Sequence, residues 1–258
     1  MPATTLSEKL EWRVREYTAR LRDWMAQNGF LPGGQEYNPF IGVCESRTGS
    51  TMLISLLNDH PNVLAFWELF HTDRSQVAFN ANGFRAKARE EAVVRLRNND
   101  PRQFIEQEVF RVYPAQLQAV GFKLIYRQAG LESKVRGETD GHEAASDLWS
   151  YLCSRTDIKF IHLTRENLLR KKLSWEVAES TGKWGTGGAP GGTVHSDERP
   201  QVTLDPEECE EAFTTETQVQ RMVEQDLSDH DVLRTSYEQI LDSPKKELER
   251  VQRFLDLD

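Results

Sequence analysis

The chain reads as α/β: a P-loop-type central parallel sheet flanked by helices, in a single domain. Three observations predict this. Short apolar runs at 40–43, 63–67, 119–126 and 158–163 have the length and composition of buried strands. The segments between them carry apolar residues at three- and four-residue steps, the helix period, and strands alternating with helices imply parallel βαβ units. The third is the junction after the first run. There Phe40-Ile41-Gly42-Val43 breaks into Ser46-Arg47-Thr48-Gly49-Ser50-Thr51 and turns helical and apolar at Met52, Leu53, Leu56 and Leu57.

The elements follow in order. Residues 6–28 place Leu10, Val14, Tyr17, Leu21, Trp24 and Met25 on one stripe, an amphipathic helix. It packs on the domain or meets a second copy of the chain in a homodimer. With the linker Pro32-Gly33-Gly34 it makes up residues 1–34, and the α/β domain occupies 35–258. Val63–Trp67 is the second strand. Residues 83–117 are charged and mostly helical, with a break at Asp100-Pro101. Residues 119–126 form the third strand; a polar stretch at 130–142 and a helix to about Arg155 follow. Ile158–Leu163 is the fourth strand, and a helix begins near Asn167 with Leu168, Leu169, Leu173 and Val177 as its apolar stripe.

The loop after the first strand is an anion cradle. Backbone N–H groups at a strand-to-helix junction point at whatever lies above them, and the helix dipole favours negative charge there. Gly49 lets the backbone approach the anion, Ser50 and Thr51 add hydroxyl donors, and Arg47 adds a fork of N–H groups. An ATP-type loop, G-x-x-x-x-G-K-[ST], needs Lys after its second glycine; here Ser50 follows Gly49, and the cation comes two residues before the glycine. A second cation, Arg165, ends the fourth strand. Ser174, seven residues beyond Asn167, returns to the face of the helix start after about two turns, so Arg165 and Ser174 can meet one phosphate.

The order Arg-Thr-Gly-Ser-Thr at the end of the first strand resembles the 5′-phosphosulfate loop of sulfotransferases that use 3′-phosphoadenosine-5′-phosphosulfate (PAPS). In that family an Arg after a strand and a Ser on the next helix hold the 3′-phosphate. Arg165-Glu166-Asn167-Leu168-Leu169 with Ser174 is similar to the version in many bacterial members. The tail Tyr237-Glu238-Gln239-Ile240-Leu241-Asp242-Ser243-Pro244, with Glu247-Leu248 and Phe254-Leu255, matches the family's C-terminal pattern without any chemistry readable from it. The resemblance runs from about residue 38 to the end. It implies PAPS as cofactor, bound by Arg47, Thr48, Gly49, Ser50, Thr51, Arg165 and Ser174; the lack of a secretory apolar segment and the dispersed cysteines lead to the expectation of a cytoplasmic enzyme acting on a small-molecule acceptor.

Sulfonyl transfer needs a base for the acceptor's proton and donors for the leaving phosphate oxygen. Arg47, Thr48 and the loop amides stand on the leaving side. Glu68, ending the second strand in the aromatic run Phe66-Trp67-Glu68-Leu69-Phe70-His71, is the chosen base, with His71 and His60 as rivals. Nodulation-factor and glycolipid sulfotransferases are similar in placing a Glu in this region. Lys123 lies inside an apolar strand, where burial without a partner is costly; it must reach Glu68 or the sulfonate. Gln128, at that strand's end, and His71 are candidates for acceptor contact. The Gly-rich run 185–192 lacks the flanking strand and helix of a dinucleotide fingerprint. It reads as an acceptor-site lid loop near 182–200 that carries His195. Trp175 and Trp184 are the nearest aromatics for an adenine.

Composition narrows the classes. A net charge of −9 argues against an extended nucleic-acid surface and steers cationic acceptors better than anionic ones. Arg170-Lys171-Lys172 reads as a solvated helix face. No run approaches the roughly 18 apolar residues of a membrane span. Cys44, Cys153 and Cys209 are dispersed without metal spacing, and the mechanism needs no metal. Two alternatives stand beside the sulfotransferase: a P-loop nucleotide-dependent kinase, disfavoured by the missing Lys after Gly49, and a non-catalytic nucleotide-binding protein, for which Glu68 would be dispensable.

Overall fold

The computed structural model describes residues 18, 21–71, 87–138, 143–182 and 201–257. Helix α1 covers residues 21–27 of the expected N-terminal helix, the rest of which lies largely outside the described residues. The glycine linker is pinned: β1 (Gly33–Gly34) pairs antiparallel with Tyr113–Pro114. Then come β2 (Asn38–Cys44), α2 (Ser50–Asn58), β3 (Val63–Glu68), α3 (Lys87–Asn99) and α4 (Pro101–Phe104). Asp100 makes the break foreseen at Asp100-Pro101: its side chain accepts from the Gln103 N–H and Pro101 starts the next helix, both ordinary N-terminal devices. A π-turn at Ile105–Val109 leads to β4 (Tyr113–Pro114) and β5 (Ala119–Ile125).

A 3₁₀ turn (Tyr126–Ala129) follows β5, and the polar stretch that begins at 130 contains the short α5 (Leu131–Arg136). Helix α6 (Glu143–Ser154), β6 (Lys159–Thr164) and α7 (Leu168–Thr181) follow. The C-terminal part contributes α8 (Pro206–Asp226), β7 (Val232–Ser236), α9 (Tyr237–Asp242) and α10 (Pro244–Phe254). β7 is a fifth strand beyond the four read from the sequence.

The five long strands form one parallel sheet in the order β3-β5-β2-β6-β7. Side chains alternate across it, as strand geometry requires. Ile41 and Val43 of β2 join the core under α3 to α6 and α8, while Phe40 and Cys44 join the core under α2, α9 and α10. β2 is central, with the chain winding from it to β3 and β5 on one side and to β6 and β7 on the other. The crevice at such a switch point, beyond the C-terminal strand ends, is where open α/β sheets bind ligands. The cradle loop leaves β2 at that point.

Candidate active site

The loop is built for close approach. Gly49 has φ +82°, and a Cβ there would lie 2.5 Å from the Tyr237 ring, so only glycine fits. Arg47 also has positive φ, 65°, a conformation costly for a side-chain-bearing residue and typical of binding sites. Gly49 supplies no side chain to cap α2, and no acidic residue occupies its first turn, so the helix end is left for an anion. The Thr48 hydroxyl is fully buried and donates to the Glu45 carbonyl at 2.7 Å. It shapes the loop from within rather than facing a ligand. Ser50 is buried and Thr51 exposed. Cys44, at the strand end, is an inert buried thiol whose pKa burial pushes up to about 11.

Arg165 and Ser174, expected to share one phosphate, each contact Arg47. Arg47 Nε donates to Ser174 Oγ at 3.0 Å, and Arg165 Nη1 donates to the Arg47 carbonyl at 2.9 Å. Burial and the neighbouring Arg165 guanidinium lower the Arg47 pKa from the usual arginine range. Arg165 Nε is buried with no hydrogen-bond partner among the described residues. Two crowded cations, an orphaned N–H and an uncapped helix end make this edge a seat for anionic groups.

The C-terminal motif, mute in the sequence, braces this edge. Tyr237 lies under Gly49 and under Arg165, whose Cζ is 4.5 Å from the ring centroid. Glu238 accepts the Glu166 and Asn167 N–H groups at 3.0 and 3.2 Å, and Glu166 accepts from Ser236 Oγ at 2.8 Å. These contacts clamp the segment carrying Arg165 onto β7 and α9.

A second cluster occupies the ends of β3 and β5. A register shift between Phe66 and Glu68 sets Glu68 opposite Lys123. Lys123 Nζ pairs with Glu68 Oε1 at 2.7 Å, and Gln128 Nε2 donates to Oε2 at 2.9 Å. Gln128 is itself oriented, because its Oε1 accepts the Ile125 N–H at 3.3 Å. Lys123 and Gln128 are 4 % and 6 % exposed, whereas the Glu68 side chain keeps 23 % of its surface open, so the carboxylate faces outward from a fixed seat. Gln128, read as an acceptor contact, is thus a holder of Glu68. Lys123 takes the carboxylate of its two foreseen partners.

Of the rival bases, His60 lies before β3, at the opposite end of that strand from Glu68, where its Nδ1 accepts the Asn62 N–H. His71 is exposed just beyond the end of β3. The 183–200 loop, with His195 and Trp184, lies outside the described residues. Lys171 and Lys172 depart from the expected solvated face. They turn toward α8 and their own helix, pairing with Glu216 at 2.5 Å and with Glu176 at 2.7 Å. Among the described residues no acidic, His and Cys group is arranged to hold a metal, and no helix is long and apolar enough to cross a membrane.

A buried bridge joins the two edges. The Tyr126 hydroxyl and His162 Nε2 lie 2.6 Å apart, linking the end of β5 to β6 across the top of β2. Burial, with Arg234 assisting, lowers the His162 pKa to about 4. The imidazole is therefore neutral and structural.

The chain is 28 % identical over 219 residues to Nodulation protein H of Rhizobium tropici, covering 84 % of this chain and 75 % of that protein. A crystal structure of a sulfotransferase from Alicyclobacillus acidocaldarius aligns over 86 % of this chain and 81 % of its own, with a TM-score of 0.42 and 14 % identity. The model of the sulfotransferase family matches residues 39–258, so the chain belongs to the sulfotransferase family.

Proposed function

We propose that the protein transfers a sulfonyl group from PAPS to a hydroxyl or amine of a small-molecule acceptor by in-line displacement. The observation that carries the donor half is the Arg47–Arg165 pair, two partly buried cations with one unsatisfied N–H between strand end and loop. Bound PAPS would supply the activated sulfonyl group and a phosphate leaving group. Arg47 and the loop amides stabilise negative charge developing on the leaving oxygen, since preorganised donors cost no reorganisation during reaction. Arg165 and Ser174 hold the 3′-phosphate through charge-assisted hydrogen bonds.

Glu68 is the base. Lys123 pairs with one carboxylate oxygen and Gln128 holds the other, leaving the exposed part of the group to take the acceptor's proton. Lys123, on the strand next to the one that leads into the loop, is also a cation within the field of the transferred group.

The test is turnover, read as formation of adenosine 3′,5′-bisphosphate from PAPS with a panel of hydroxyl and amine acceptors. Glu68→Gln is expected to lower turnover by about 10²–10⁴-fold, the range for a general base, with bisphosphate affinity unchanged. Equal turnover in Glu68→Gln would move the base elsewhere, His71 first. A wild-type protein that binds the bisphosphate but transfers to nothing would favour the non-catalytic alternative.

A further inference from the structure

Beside the cradle loop is a cavity of about 260 Å³, enclosed by Glu45–Arg47, the 3₁₀ turn, α5, α7 and α8. Neither Arg165 nor Ser174 lines it, so it is separate from the 3′-phosphate seat. Its wall holds an unspent cation. Arg127 lies over the Trp175 ring, Cζ 5.5 Å from the centroid, and its Nε is buried without a hydrogen-bond partner among the described residues. A cation–π contact engages the guanidinium through its charge and leaves its N–H groups to bond an oxyanion. The neighbouring cations differ: Lys171 is committed to Glu216 and Lys172 to Glu176.

Resting on the sulfotransferase reading, we propose that this cavity is an acceptor subsite in which Arg127 binds an oxyanion, carboxylate or phosphate, carried by the acceptor. Arg127 and Gln128 are consecutive residues of one turn. The first faces the cavity and the second grips Glu68, so an acceptor anchored at Arg127 is held at a fixed offset from the base.

Of the three carboxylates on the wall, Glu45, Glu132 and Glu216, the last two do not oppose an anion at neutral pH, and Glu45 accepts the Ser46 N–H. Burial, a hydrogen bond with Glu45 and the Glu45 charge push the Glu132 pKa up to about 8, against the pull of Arg127 and Arg136. Glu132 therefore keeps its proton and can itself donate. Glu216 on α8 is matched by Lys171. The local sign is thus opposite to that of the chain as a whole. At contact distance the local groups prevail, because charges more than about 8 Å away are screened at physiological salt.

The experiment follows the Trp175 indole N–H resonance, assigned with Trp175→Phe, in protein saturated with adenosine 3′,5′-bisphosphate. The probes are inorganic sulfate, whose charge is constant across the pH range, and propionate. Saturable binding of either probe is expected, about tenfold or more weaker in Arg127→Gln, the loss of one charge-assisted hydrogen bond, and intermediate in Arg127→Lys. Melting temperature and bisphosphate affinity should stay at wild-type values in Arg127→Gln. Sulfate binding should weaken as pH rises through 8, when Glu132 ionises beside Glu45, and Glu132→Gln should abolish that dependence. No saturable site, or binding unchanged in Arg127→Gln, overturns the proposal. Failure of the bisphosphate to bind would sink the sulfotransferase reading separately, and the same titrations on the free protein would still decide the role of Arg127 as an anion site.

Discussion

The two edges of the crevice are built on opposite principles. On the β6 side, Arg47, Arg165 and Ser174 are joined by single hydrogen bonds, two cations crowd each other, and one buried N–H has no partner among the described residues. On the β3–β5 side, Glu68, Lys123 and Gln128 satisfy one another before any ligand arrives. The first edge is charged and incomplete, which suits an anion that neutralises it on binding. The second is complete and oriented, which suits a group that must hold one position through a proton transfer. Fold stability and ligand affinity should therefore respond differently to changes at the two edges.

The largest stability effect is expected at the bridge between them. The His162 pKa is lowered to about 4, below its unfolded value near 6.5, so the unfolded chain takes up the proton first. The stability contribution is full above pH 6.5 and is lost as pH falls toward 4, about 1.4 kcal/mol per pH unit across that window. Urea unfolding at several pH values checks this. His162→Gln should flatten that part of the profile, and an unchanged profile would assign acid lability elsewhere.

A smaller effect is expected at the loop. Gly49→Ala forces a β-carbon into a left-handed conformation, about 1–2 kcal/mol, and also into the Tyr237 ring. Because Tyr237 also lies under Arg165, this variant should lose bisphosphate affinity as well as stability. If it lost only stability, Tyr237 would not couple the loop to Arg165.

The sequence was most legible where function is local along the chain. The cradle Arg47–Thr51 and the pair Arg165 and Ser174 each lie within a short stretch, so residue types, helical spacing and a family resemblance were enough to single them out as candidates. Four of the five long strands were legible because they are continuous apolar runs. β7 was not: Val232-Leu233-Arg234-Thr235-Ser236 is a short edge strand with an exposed arginine, and its apolar content is too thin to signal. The role of Gln128 was hidden because it depends on a contact 60 residues away. Tyr237 matters through its position under Gly49 and Arg165, which only the fold creates. Arg127 sits directly beside Gln128 in the sequence, but its significance comes from Trp175 on another helix. The net charge of −9 pointed toward cationic acceptors, whereas the groups lining the cavity favour an anion. Sums over a chain do not describe a local field.

The most direct test of the central claim is calorimetric titration with adenosine 3′,5′-bisphosphate in parallel with AMP and with ATP plus Mg²⁺, on wild type and Arg165→Ala. The account predicts selective binding of the bisphosphate, weakened about 10–150-fold in Arg165→Ala by loss of charge-assisted hydrogen bonds worth about 1.5–3 kcal/mol. AMP, lacking the 3′-phosphate, should bind weakly and be indifferent to the substitution. Preferential binding of ATP with Mg²⁺, or bisphosphate binding unaffected by Arg165→Ala, would contradict the account.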